Sequence, residues 1–183
     1  MTSNIGNGAY NNYDGLSLYS YNTIDYLIEN NEMIWKLLYN TTPSAWNISD
    51  LTHAQKASLI YAGQPDSSQY NVFMARGMPD PRTSVSSILT ISPSSIIPVN
   101  RTRGIVNMLF EVYCHYTITH MNNYMIRTDV IIEELIKTLN GQEFVKGLGP
   151  MFFDQMGSKI DKDSDSGVTP FRGKWLTLSQ HIG

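Results

Sequence analysis

The chain has 183 residues, 42% apolar and 16% charged, with a formal net charge of -3. That length and apolar share fit one domain with its own core, and the charge balance excludes a broad electrostatic footprint for nucleic acid. One cysteine excludes an internal disulfide, and no run approaches the ~20 apolar residues of a membrane-spanning helix.

The charge deficit is made up by Asn, Ser, Thr and Tyr. Such neutral groups are cheap to desolvate, which suits burial in an interface. The N-terminus carries no basic leader and no apolar run, which predicts synthesis in the cytoplasm. The sequons at Asn40, Asn47 and Asn100 are then accidents of composition.

Residues 1–22 read as an extended arm, with Tyr10, Tyr13, Tyr19 and Tyr21 and Asp14 as its one charged side chain. Disordered tails carry more charge and fewer aromatics. The arm therefore reads either as a segment that lies against a partner, where Tyr gives area at low entropic cost, or as a frayed terminus. Residues 23–183 read as a single α+β domain.

A first helix is predicted from Asn22 or Thr23 to Tyr39 or Asn40. Ile24, Leu27, Ile28, Ile34, Trp35 and Leu38 fall on one side of it. A shorter helix follows, capped by Ser49 or Asp50 and stopped by Gly63, with Leu51, Ala54, Ala57 and Ile60 as a thin apolar stripe. The period then changes. Tyr70–Arg76 and Val85–Ser92 read as strands separated by the breaker-rich Gly77–Pro81, and Ser94–Arg103 reads as a long connection next to Pro93 and containing Pro98. Ile105–Thr119 is the clearest strand. Val106, Met108, Phe110, Val112 and Cys114 point one way, and Asn107, Glu111 and His115, mixed with Leu109 and Tyr113, point the other. At ~3.3 Å per residue such a strand spans ~45 Å, more than the body of a small domain.

The strongest helix is predicted over Asn122–Asn140, with Ile131, Leu135 and Leu139 stacked and Val130, Ile132 and Ile136 widening the stripe. Gly147–Met156 and Lys174–His181 read as closing strands of a hairpin, joined through the polar segment Ser158–Gly167.

No constellation carries chemistry. Asp161, Asp163 and Asp165 begin like a calcium loop, but its sixth and twelfth positions hold Ser166 and Arg172 where Gly and Glu are required. Glu133 and Glu134 are adjacent on a helix and diverge by ~100°. His53, His115, His120 and His181 lack metal-ligand spacing. Cys114 reads as a small buried hydrophobe, and strand alternation sends His115 to the other face. The expectation is no catalytic residue, no cofactor and no metal.

The order of elements implies a small, mainly antiparallel sheet with helices packed on one face. Ser87-Ile-Leu-Thr-Ile-Ser92, then Arg103-Gly-Ile-Val-Asn-Met-Leu-Phe-Glu-Val-Tyr-Cys-His115, then the helix Tyr124–Leu139 carry a resemblance to the tail-completion or tail-terminator proteins of tailed bacteriophages. The resemblance covers the central third to half of the chain. It implies a virion protein assembled in the host cytoplasm: a ring, commonly a hexamer, that closes the tail tube at the head–tail junction and meets neighbouring neck and tail-tube proteins. It implies no membrane and no specific nucleic-acid binding, although DNA passes through such a ring. The expected interface residues are Tyr10, Tyr13, Tyr19, Tyr21, Arg101, Arg103, Leu109 and Tyr113. The arm and the extra Ser49–Gly63 helix depart from the smallest members. The competing readings are a stopper or adaptor of the neck, and a small hydrolase whose site joins Glu111, His115 and His120.

Overall fold

The structure is a computed structural model that describes residues 18–64, 66, 69–74, 85–99, 104–143, 149–159 and 171–182. Helices α1 (Tyr19–Asn30), α2 (Glu32–Tyr39) and α3 (His53–Ser58) come first. Strands β1 (Val72–Phe73), β2 (Ser87–Pro98) and β3 (Gly104–His115) follow, then α4 (Arg127–Leu139), β4 (Met151–Lys159) and β5 (Phe171–Ile182). The strand order is β1-β2-β3-β5-β4, and every pairing is antiparallel except that of β1 with β2. The fold is α+β. No described helix is long and apolar enough to cross a membrane.

Alternation in β3 builds the core. Val106, Met108, Phe110 and Val112 share a face with Leu89 and Ile91 of β2 and with Leu176 and Leu178 of β5. Leu27, Ile34, Trp35, Leu38, Ile131, Leu135 and Leu139 of the helices close over that face. Each side chain of this size stabilises the fold by about 1.5–3 kcal/mol when fully buried. The opposite face has a smaller apolar cluster of Phe73, Ile88, Tyr113 and Phe171.

Several expected boundaries move, each for a local reason. The first helix is two. Asn31 adopts an extended conformation, and its side chain accepts from the Ile34 amide at 2.8 Å, capping α2. The first of the two also starts at Tyr19 rather than near Thr23. The Thr23 hydroxyl donates to the Tyr19 carbonyl at 2.7 Å, inside the helix, so it is not a cap. Residues 1–17 of the expected arm lie outside the described residues.

The second helix starts from Thr52, which forms a reciprocal capping box with Gln55. It ends at Ser58, because Leu59 and Ile60 bond to the chain around Val72. Its buried member is Lys56, while Ala54 and Ala57 are exposed.

The second strand runs on to Pro98, through Pro93. β1 covers only Leu89 and Thr90 of it, and the register shifts between Pro93 and Ser95. A free edge with a bulge is where a strand accommodates proline. The third strand stops at His115, where a 3-10 turn over Tyr116–Ile118 begins. It does not overhang alone, since β2 and β5 pair with it along its length. The last helix starts at Arg127, because residues 120–126 form a small hairpin closed by His120 and Ile126. The closing strands pair as a hairpin, as expected. The expected loop over residues 77–81 and the acidic residues of 161–165 lie outside the described residues.

Candidate interaction surfaces

The titratable groups of the sheet do not converge. Cys114 lies on the helix-bearing face, buried, with its Sγ 3.7 Å from Ser87 Oγ, and burial pushes the thiol pKa up. On the other face Glu111 is buried and accepts from Thr90 Oγ1 at 3.3 Å. His115 shares that face, but Tyr113 stands between them. His115 Nδ1 lies 2.7 Å from Thr117 Oγ1, its ring packs edge-on against Phe171, and burial holds its pKa below the ordinary value. Among the described residues no group of three or more His, Cys, Asp or Glu is arranged to hold a metal.

Where β3 ends, the chain is locked by a buried cation. Arg127 is 0% exposed and donates to four main-chain carbonyls: Ile118 at 3.0 Å, Leu37 at 2.9 Å, and Asn40 and Thr42 at 2.6 Å each. The planar guanidinium suits such a fork of acceptors, and burial lowers its pKa. Leu37 and Asn40 lie at the end of α2, whose last carbonyls have no partner inside the helix. One side chain thus joins α2, the segment after it, the 3-10 turn and α4. Asn122 adds two bonds, donating its amide to the Pro43 carbonyl at 3.1 Å and accepting from Trp46 Nε1 at 2.8 Å. On the outside of this corner Tyr39, Tyr116, Tyr124 and Met125 are exposed.

The other end of the sheet follows a different pattern. β2 is buried through Ser92 and open from Pro93 to Pro98, apart from a half-buried Ser94. Its Ile96 faces the helix side beside buried Val106, yet remains 40% exposed, and Ile97 on the opposite face is 49% exposed. Across the sheet, β4 exposes Phe152, Phe153 and Met156, and its outer edge has no strand partner among the described residues. Phe153 and Met156 are in register with buried Leu178 and Leu176 but stand outside the helical cover. An apolar edge of this kind is a template for another chain.

This open end is nevertheless fixed. Asn107 donates to Ser95 Oγ at 2.8 Å and accepts from Ser179 Oγ at 2.8 Å, riveting β2, β3 and β5. Further along β4, toward the buried half of β2, the Trp175 ring lies across Gly157, where an added Cβ would meet it at 2.8 Å.

The expected interface residues separate into three sets. Tyr10, Tyr13, Arg101 and Arg103 lie outside the described residues. Tyr19, Tyr113 and Leu109 are buried by their own chain, and loss of solvation pushes the Tyr19 pKa up to about 12. Tyr21 alone of the described ones is exposed. The exposed residues of β4 and of the 116–126 segment, absent from that expected set, carry more open apolar area. Their signal was present as Phe152-Phe153 and as a stretch without charge around Tyr124.

A family model matches residues 31–166, and the chain belongs to that family, YomW, which is phage-associated. No curated protein matches the chain. Among solved structures it is similar to a chain of the "Virion of native gene transfer agent (GTA) particle", with 12% identity, a TM-score of 0.43, and coverage of 61% of this chain and 77% of that one.

Proposed function

We propose that this chain is a structural protein of a phage-type virion, and within it a ring-forming component of the head–tail junction that terminates the tail tube and joins it to the connector. Membership of the phage-associated YomW family supports the virion role. The observation that carries the ring is the pair of open sheet margins, where Ile96 and Ile97 of β2 and Phe152, Phe153 and Met156 of β4 stand exposed. Repeated head-to-tail contact between such unlike edges closes into a ring when the rotation permits. The blunting prolines of β2 and a β4 edge without a strand partner among the described residues make the two edges unlike, as a heterologous contact needs. Negative-stain microscopy of the purified chain, alone and with its neighbouring gene products, tests the reading. Rings with one repeated diameter are expected. Single particles of one chain's size under all assembly conditions would overturn it.

A further inference from the structure

The corner locked by Arg127 has an unusual chemistry. Residues 39–49 and 116–126, which form it, contain no Asp, Glu, Lys or Arg. They are rich in Tyr, Asn and Thr, and antibody loops use Tyr and Asn to bind proteins at low conformational-entropy cost. At its apex Tyr124 is 99% exposed and has a positive φ of 64°. A bulky residue in this region carries strain that Gly or Asn would relieve. The hairpin nonetheless holds it there, with the Met121 amide donating to the Met125 carbonyl at 3.0 Å and the Tyr124 amide to the Met121 carbonyl at 3.2 Å. Strain kept for an aromatic ring left open among the described residues points to a contact beyond them.

We propose that residues 1–17 of a neighbouring copy dock on this corner, so that each subunit straps the next. The inference rests on the assembly reading above and names the occupant of one contact. Two features select the arm. Its chemistry matches: residues 1–17 contain Tyr10 and Tyr13, five Asn or Asp residues of which only Asp14 is charged, and no Lys or Arg. A strap with a single charged side chain can lie on a neutral surface with Asp14 kept at the solvent-facing side, so that no unpaired charge is buried. Its length matches as well. The arm enters the domain at Leu18, before α1. Seventeen extended residues reach about 56 Å, more than the ~40 Å of the longest strands, so the arm can cross onto an adjacent subunit. A nucleic acid does not fit the corner, which offers no cation for phosphate.

The test uses two full-length populations with different affinity tags, one carrying Tyr10→Cys and the other Met125→Cys, mixed during assembly and treated with a short bis-maleimide. The unaltered chain, with buried Cys114, is the background control. The expected result is a cross-link joining the two tags, reduced about tenfold or more by Tyr124→Gly in the acceptor. Gly suits the positive φ, so the acceptor's melting temperature is expected to hold or rise, which a merely structural Tyr124 would not allow. Tyr124→Ala serves if the Gly variant fails to fold. Rings without the cross-link, or a cross-link indifferent to Tyr124, would overturn the strap and leave the ring standing. A cross-link confined to one chain in the Tyr10→Cys, Met125→Cys double variant would also overturn it. Neither rings nor cross-link would remove both proposals.

Discussion

Where β3 ends, buried polar groups are matched to main-chain acceptors, whereas along β4 and the far half of β2 apolar side chains are left in water. Arg127 defines the first region, and Lys56 in α3 follows the same rule elsewhere in the helical layer. Lys56 Nζ donates to the Ile28 carbonyl at 2.7 Å and pairs with Glu32, so both cations stitch one helix to another without sitting at the surface. Ile97, Phe152, Phe153 and Met156 define the second. The first region spends its chemistry on stability within the chain. The second is rigid but unpaid by burial, and its apolar area gains only when another chain covers it.

Substitutions at the two regions should therefore separate folding from assembly. Arg127→Met removes the guanidinium from four carbonyls, of which Thr42 keeps the Ala45 amide, and is expected to cost about 3–5 kcal/mol in urea denaturation. Arg127→Lys should recover only part of this, because an ammonium does not span the fork. A loss under about 1 kcal/mol, ~0.25 or less per carbonyl, would show that water replaces the guanidinium and would break the contrast.

Gly157→Ala drives a Cβ to 2.8 Å from the Trp175 ring, and about 1–3 kcal/mol of destabilisation is expected. An unchanged melting temperature would mean that Trp175 moves off β4 freely.

The smallest effect is in pH. Burial lowers the pKa of His115, so the folded state disfavours its protonation. The group's contribution is complete above its unfolded pKa of about 6.5 and is lost as pH falls through that value toward the lowered folded one. Stability should fall from pH 7 to pH 5, and His115→Gln should flatten part of that slope. An identical slope in the variant would exclude this histidine as a source.

Much of the fold was legible. Period-2 alternation in β3 and period-3.6 spacing in α4 are properties of side chains that the core selects directly. Single-residue breaks were not. Apolar spacing continues smoothly across Asn31, although Asn before Glu32 is a capping signal that outranks it. The Thr52–Gln55 box is equally readable and outranks Ser49 and Asp50 as the cap. The fate of long polar side chains was the least legible. Nothing local to Arg127 or Lys56 announces burial, since their acceptors come from chain as distant as Leu37 and Ile28. Tyr19 and Tyr113 read as surface anchors for the same reason. An aromatic residue suits a core and an interface alike until its neighbours are placed.

The most direct test of the account is the mass of the particle in solution, measured by analytical ultracentrifugation across a concentration series. The comparison is between the full chain and a variant carrying Ile97→Ser, Phe153→Ser and Met156→Ser. The account predicts a discrete oligomer for the full chain, and a monomer for the variant with a melting temperature within a few degrees of the original, because exposed positions contribute about 0.5 kcal/mol or less each. A full chain that stays monomeric throughout, or a variant that assembles as well as its parent, would contradict it.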